Sequence, residues 1–229
     1  GYAALNANTT GAYNTGLGAY TLTANTTAQH NTAIGYYAMA VNTTGGENVA
    51  VGNFALDASN STGNTALGRS ALTALTTGSY NVAVGRYALS SQTTASDNVA
   101  IGHLALAANT TGTDNVAVGA NALDSNTTAS DNTAIGDNAL GANTTGTQNT
   151  AVGSGALDAN TTGSYNSAFG YLSLSANTTG ELNVAYGNAS LIKNTTGDRN
   201  VAIGYDSLGE NTTADNNTAV GYESLKENT

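Results

Sequence analysis

No cysteine, no proline and no tryptophan occur in the 229 residues, and methionine occurs once. Without thiols there is no disulfide staple and no thiolate metal site. Only His30 and His103 could serve as imidazoles, so acid–base or metal chemistry built on histidine has little to draw on. Charge is scarce as well: 9% of residues are charged, with five Lys and Arg against fifteen Asp and Glu, a formal net charge of −10. That balance argues against nucleic acid or an anionic membrane as partner. The five cations, Arg69, Arg86, Lys193, Arg199 and Lys226, are scattered. No apolar run approaches the ~18 residues of a membrane span, and no signal peptide is visible.

What is present is Gly, Ala, Asn and Thr in an order that repeats. An Asn opens an Asn-x-Ala-aliphatic-Gly block at 14, 31, 48, 64, 81, 98, 115, 132, 149, 166, 183, 200 and 217. The spacing is 17 everywhere except the step of 16 from Asn48 to Asn64. Counting from that Asn, the second position is Thr or Val (Ser167 once), the third Ala (Gly16 once), and the fourth always large and apolar. The fifth is Gly without exception, and the ninth is Leu, with Met39 the one departure. A glycine fixed in every copy marks a positive φ or a close backbone approach. Apolar residues do not recur at 3.6, so helix is excluded, and period-two alternation predicts strand. The reading is all-β: a parallel β-solenoid of about thirteen 17-residue coils, two short strands per coil, with corners at the glycine and at Asn-Thr-Thr-Gly. Residues 1–229 form a single array open at both ends, without the polar caps that usually close such a stack. That openness predicts continuation into more chain or end-to-end stacking.

Blocks such as Asn31-Thr32-Ala33-Ile34-Gly35 and Asn149-Thr150-Ala151-Val152-Gly153, followed by Ala-Leu and then Asn-Thr-Thr-Gly, resemble the head repeats of trimeric autotransporter adhesins. Similar arrays are seen in phage tail-fibre and bacterial surface proteins. The resemblance covers the whole chain and implies a left-handed parallel β-roll, trimerisation and a cell-surface or virion location.

The repeat bears on chemistry too. An active site needs a unique constellation, which a repeating sequence does not offer, so no enzyme, cofactor or metal site is expected. Asp97, Asp114 and Asp131 share the seventeenth position and are expected as solvated carboxylates; calcium would suit their oxygens, but three are few for a cage. Tyr2, Tyr20, Tyr36, Tyr37, Tyr87, Tyr171, Tyr205 and Tyr222 gather at positions six and seven, either as a contact surface or as a cover for the glycine corner. The first-position Asn column predicts a stacked amide ladder. The twelfth-position corner carries N-linked glycosylation patterns at Asn8, Asn25, Asn42, Asn60, Asn109, Asn126, Asn143, Asn160, Asn177, Asn194 and Asn211. Either these are exposed acceptors, or Asn-Thr-Thr-Gly is simply a good turn, as Leu75 and Gln92 in the same place imply.

If positions two, four and nine point inward, the invariant third-position Ala faces out; in the opposite phase the fourth-position aliphatics do. Either phase calls for a neighbour, so the partners expected are copies of the chain itself, as a trimer or a filament. The expected function is a structural extracellular fibre or shaft. The alternative is an adhesin head or tail-fibre segment binding a host or glycan surface. Ice binding ranks below both, because the threonines are adjacent rather than alternate.

Overall fold

The computed structural model describes residues 1–228. The chain is a parallel β-solenoid without a helix among the described residues, and it divides into two units, Gly1–Asp114 and Asn115–Thr229. The first contains β1 (Thr15–Leu17), β2 (Thr32–Ile34), β3 (Val49–Val51), β4 (Thr65–Leu67), β5 (Val82–Val84) and β6 (Val99–Ile101). The second contains β7 (Val116–Val118), β8 (Thr133–Ile135), β9 (Thr150–Val152), β10 (Ser167–Phe169), β11 (Val184–Tyr186), β12 (Val201–Ile203) and β13 (Thr218–Val220). Within each unit, every strand pairs in parallel with the next in sequence, and like positions lie opposite one another: Thr32 faces Val49, Ala33 faces Ala50, Ile34 faces Val51. The same register runs through the second unit, where Ala134 faces Ala151.

Each coil has one strand, not the two expected from the alternation around the ninth position. The reason is the backbone. Positions seven, nine and seventeen are left-handed in almost every coil, as at Tyr37 (φ 58), Met39 (φ 52) and Glu47 (φ 60). A left-handed non-glycine residue costs about 1–2 kcal/mol, so the fold must return something. It returns hydrogen bonds in both directions. Tyr37 N–H donates back to Ala19 O in the preceding coil at 3.1 Å, while Met39 N–H donates forward to Ala55 O at 3.1 Å. Asn138 and Leu140 repeat the arrangement, donating to Ala120 O and Ala156 O at 3.0 Å each. The segment after the glycine is therefore bonded coil to coil without being a strand.

The phase of the strand is now settled. Third-position alanines are buried, from Ala33 to Ala219, as are the ninth-position leucines from Leu22 to Leu208. The fourth-position aliphatics face out, and the second position is half-buried to exposed. A Cβ built on Gly16, the one third-position glycine, would lie 3.1 Å from Thr21 Oγ1, a tight approach, and 3.5 Å from Leu5 Cδ1. Strand alanine and turn leucine thus fill the interior together. Burying each leucine contributes on the order of 2 kcal/mol, enough to offset its own backbone strain.

The glycine corner leaves no room for a side chain. Gly35 has φ +130, and a Cβ there would lie 2.6 Å from Gly52 O of the next coil. Glycine is needed for both conformation and approach.

Candidate functional surface

Three features could carry function: the outward strand face, the two asparagine columns, and the corner after the glycine. On the strand face, position two supplies Thr, Val or Ser and position four an aliphatic or aromatic residue, so no strand presents a charge outward. Exposure is substantial, with Leu67 at 45% and Ile135 at 41%. Phe169 and Tyr186 stack along this column at 4.8 Å. In a chain of net charge −10, this is a neutral apolar strip.

The first-position asparagines form the predicted ladder. Asn48 N–H donates to Asn31 Oδ1 at 3.0 Å, and Asn48 Nδ2 donates both to that oxygen (3.2 Å) and to Ser61 O (2.8 Å). Asn149 and Asn183 repeat the set within the second unit. These side chains satisfy buried backbone carbonyls, the condition for burying an amide at little cost.

The twelfth-position column forms a second ladder, which corrects the picture of exposed glycan acceptors. Asn25, Asn42, Asn109, Asn126, Asn143, Asn160, Asn177, Asn194 and Asn211 are all buried. Asn160 Nδ2 donates to Asn143 Oδ1 at 3.0 Å and to Gly163 O at 2.9 Å; Asn177 Nδ2 donates in turn to Asn160 Oδ1 at 2.8 Å. A sugar on such a nitrogen would replace one of its two N–H donors and would have to fit inside the coil. Gln92 does the same work from a longer arm, its Nε2 donating to Ala95 O at 2.9 Å, and Leu75 fills the place with hydrocarbon. Asn211 Oδ1 is the single buried side-chain polar atom without a partner among the described residues.

Asn8 and Asn60 are exposed. Asn60 does not stand at the twelfth position at all. Asn48 Nδ2 reaches Ser61 O where other coils offer the fifteenth-position carbonyl, and Thr43 N–H donates to Asn60 Oδ1 at 2.6 Å. The 16-residue coil therefore lacks the second threonine; buried Ser59 takes the asparagine's place, and Asn60 is displaced one position outward.

Asp97, Asp114 and Asp131 are exposed, each on a left-handed residue. Among the described residues no group of three or more His, Asp or Glu side chains is arranged to hold a metal ion, and no helix is long and apolar enough to cross a membrane. His30 stacks on Tyr13 at 4.9 Å; His103 is an exposed corner residue. Asp57, Asp124 and Asp158, all at position ten, are the carboxyls whose surroundings matter most: burial raises their pKa above the usual carboxylate value. Thr73 Oγ1 donates to Asp57 Oδ1 at 2.8 Å and partly counters it.

At the corner, positions six and seven hold the aromatic residues the sequence had gathered there. Tyr20 packs on Tyr37 at 4.8 Å and Tyr37 on Phe54 at 5.8 Å. Arg86 lies 4.8 Å and Arg69 5.8 Å from the centre of the Tyr87 ring. The guanidinium of Arg86 beside the Tyr87 phenol, and the nearby charge of Arg69, lower that phenol's pKa. Farther along, Tyr205 and Tyr222 stack at 5.3 Å. No family model, no curated protein and no solved structure matches this chain.

Proposed function

We propose that the chain is an architectural protein, a segment of an extracellular or virion-surface fibre that associates laterally with copies of itself, and not an enzyme. The observation that carries this reading is the neutral strip of outward fourth-position side chains, repeated on every strand. Such a strip favours burial, at roughly 25 cal/mol per Å² of apolar surface removed from water. A second copy suits it, because the same residues recur at the same ~4.8 Å strand spacing on both partners. Pairing there also keeps the carboxylates of two acidic chains apart, since they stand at other coil positions. A trimer, the arrangement the adhesin resemblance implies, would bring three strips to one axis.

Ice binding is less well supported. On the strand face threonine occupies only the second column and is interrupted there by residues such as Val49, Val82 and Val99. The paired corner threonines are engaged elsewhere, as when Thr161 Oγ1 donates to Thr178 O at 3.0 Å.

Sedimentation velocity of the wild-type chain and of an Ile135→Glu/Val152→Glu variant tests the reading. The wild type should sediment as a trimer or larger, and the variant as a monomer with an unchanged circular dichroism spectrum. A wild type that stays monomeric at high concentration, or a variant whose assembly is unaltered, would overturn it.

A further inference from the structure

The cations of the two units are treated differently. Lys193 is paired with Glu210 at 2.6 Å, Arg199 lies 3.7 Å from Asp215, and Lys226 is held by Asp206 at 2.7 Å and Glu223 at 3.5 Å. Arg69 and Arg86, the two cations of the first unit, have no carboxylate partner among the described residues, and both are exposed. They stand at position six of successive coils and converge on the ring of Tyr87. The two coils before them put Tyr36, Tyr37 and Phe54 on the same corner, with Tyr36 exposed at 44% and Phe54 at 36%. No carboxylate occupies position six or seven anywhere in residues 1–114. This corner is thus an aromatic surface ending in two unneutralised guanidiniums, on a chain that is otherwise acidic.

We propose that this corner binds an anionic polysaccharide laid along the coil stack, its sugar rings on the exposed Tyr36 and Phe54, with Tyr37 packed behind them, and a carboxylate or sulfate on Arg69 and Arg86. Coils advance by ~4.8 Å, close to the advance of one sugar in an extended chain, so successive rings meet successive coils. Aromatic faces take the C–H face of a pyranose, and guanidinium binds planar anions through parallel N–H donors. Two arginines converging on one place suit a saccharide with sparse charge. They are too few for nucleic acid, whose affinity rests on many phosphate contacts. A second copy is the poorer occupant, because two of the acidic residues on the matching corner of residues 115–229, Asp206 and Glu223, are already held by Lys226.

Natural coils supply substitutions that preserve the fold. Asn stands at position six as Asn53 and at position seven as Asn121 and Asn138, and it tolerates the left-handed backbone required at seven. The full chain, Arg69→Asn/Arg86→Asn and Tyr37→Asn/Phe54→Asn should each be measured on immobilised hyaluronan (carboxylate) and chondroitin sulfate (which adds sulfate). Oligo-dT and polyglutamate serve as polyanions without sugar faces or without sugars. The wild type should bind at least one saccharide, and each variant should bind about tenfold more weakly with an unchanged dichroism spectrum. Binding to chondroitin sulfate alone assigns a sulfate to the arginines; binding to hyaluronan assigns a carboxylate. The proposal is overturned if neither saccharide binds, if either variant binds as the wild type does, or if oligo-dT or polyglutamate binds as tightly. It is overturned equally if the arginine variant changes the sedimentation of the chain, which would make a second copy the occupant.

Discussion

On the strand side of a coil, the backbone is extended and the residue turned inward is alanine; on the side after the glycine, the backbone is left-handed at two places and the residue turned inward is leucine. Large and small thus face each other across a narrow interior. The strand side spends its bulky side chains outside, on Ile, Val and Leu at position four, and the turn side spends its strain inside. Apolar content is therefore a poor guide to burial here: the more exposed half of the aliphatics lies on the strands.

The sharpest way to break this comparison is at two adjacent residues. Ala151→Arg places an unpaired charge in the interior, which costs several kcal/mol and should collapse the local coils, seen as a large fall in melting temperature and in dichroism. Val152→Arg, one residue on, should leave the dichroism spectrum unchanged and act on assembly instead, with a far smaller fall in melting temperature than Ala151→Arg. A larger loss at Val152 than at Ala151 would invert the assignment of faces.

The next effect concerns the twelfth position. Asn160→Ala removes donors to Asn143 Oδ1 and Gly163 O and the acceptor of Asn177 Nδ2, leaving buried groups unsatisfied at about 1–3 kcal/mol. Asn60→Ala, on the exposed thirteenth position, should cost about 0.5 kcal/mol. Chemical denaturation of the two variants side by side measures the difference. If Asn60 proves the costlier, the displacement of the short coil is wrong.

Much of this was legible from residues alone. The period, the glycine corner and the first asparagine ladder each follow from one residue type repeated in every coil, so local chemistry and position point the same way. The strand phase was not legible, because Thr-Ala-Ile alternates with the same period whichever face is inside. Nor were the left-handed residues: Tyr37, Leu123 and Asp131 share no turn-forming chemistry, and only the two-way hydrogen bonding of the stack explains them. Burial of the second asparagine column was hidden because Asn-Thr-Thr-Gly satisfies the rules for an exposed turn. In the short coil, Ser59-Asn60-Ser61 admits two frames, and the sequence alone favoured the wrong one.

A smaller effect should separate the strained side from the relaxed one. Leu182 is exposed at position seventeen with φ 59, where Gly63 stands in the short coil with φ 74. Leu182→Gly should stabilise the chain by about 1 kcal/mol by relieving the left-handed penalty, whereas glycine within a strand destabilises. A fall in melting temperature would mean that the strain is not there to relieve.

The smallest expected effect is that of pH. Burial raises the folded-state pKa of Asp57, Asp124 and Asp158 above the ordinary value of 3.8. The folded chain then binds protons more readily than the unfolded one, so stability grows as pH falls from neutral toward 3.8 and is lost as pH rises through the folded pKa. Melting temperature should be modestly higher at about pH 4.5 than at about pH 7.5, and Asp158→Asn should flatten the profile.

The fixed spacing of partners has a kinetic consequence. Nearly every backbone bond between coils joins residues 15 to 18 apart in the chain, so each new coil closes a loop of nearly the same short length. Measured against 229 residues, that separation is a relative contact order of about 0.07, in the range of helical bundles rather than of β-sandwiches. Such a chain should nucleate at any pair of coils and lengthen by successive addition, with no distant segment to wait for. An all-β molecule would then refold at speeds usually reserved for helices.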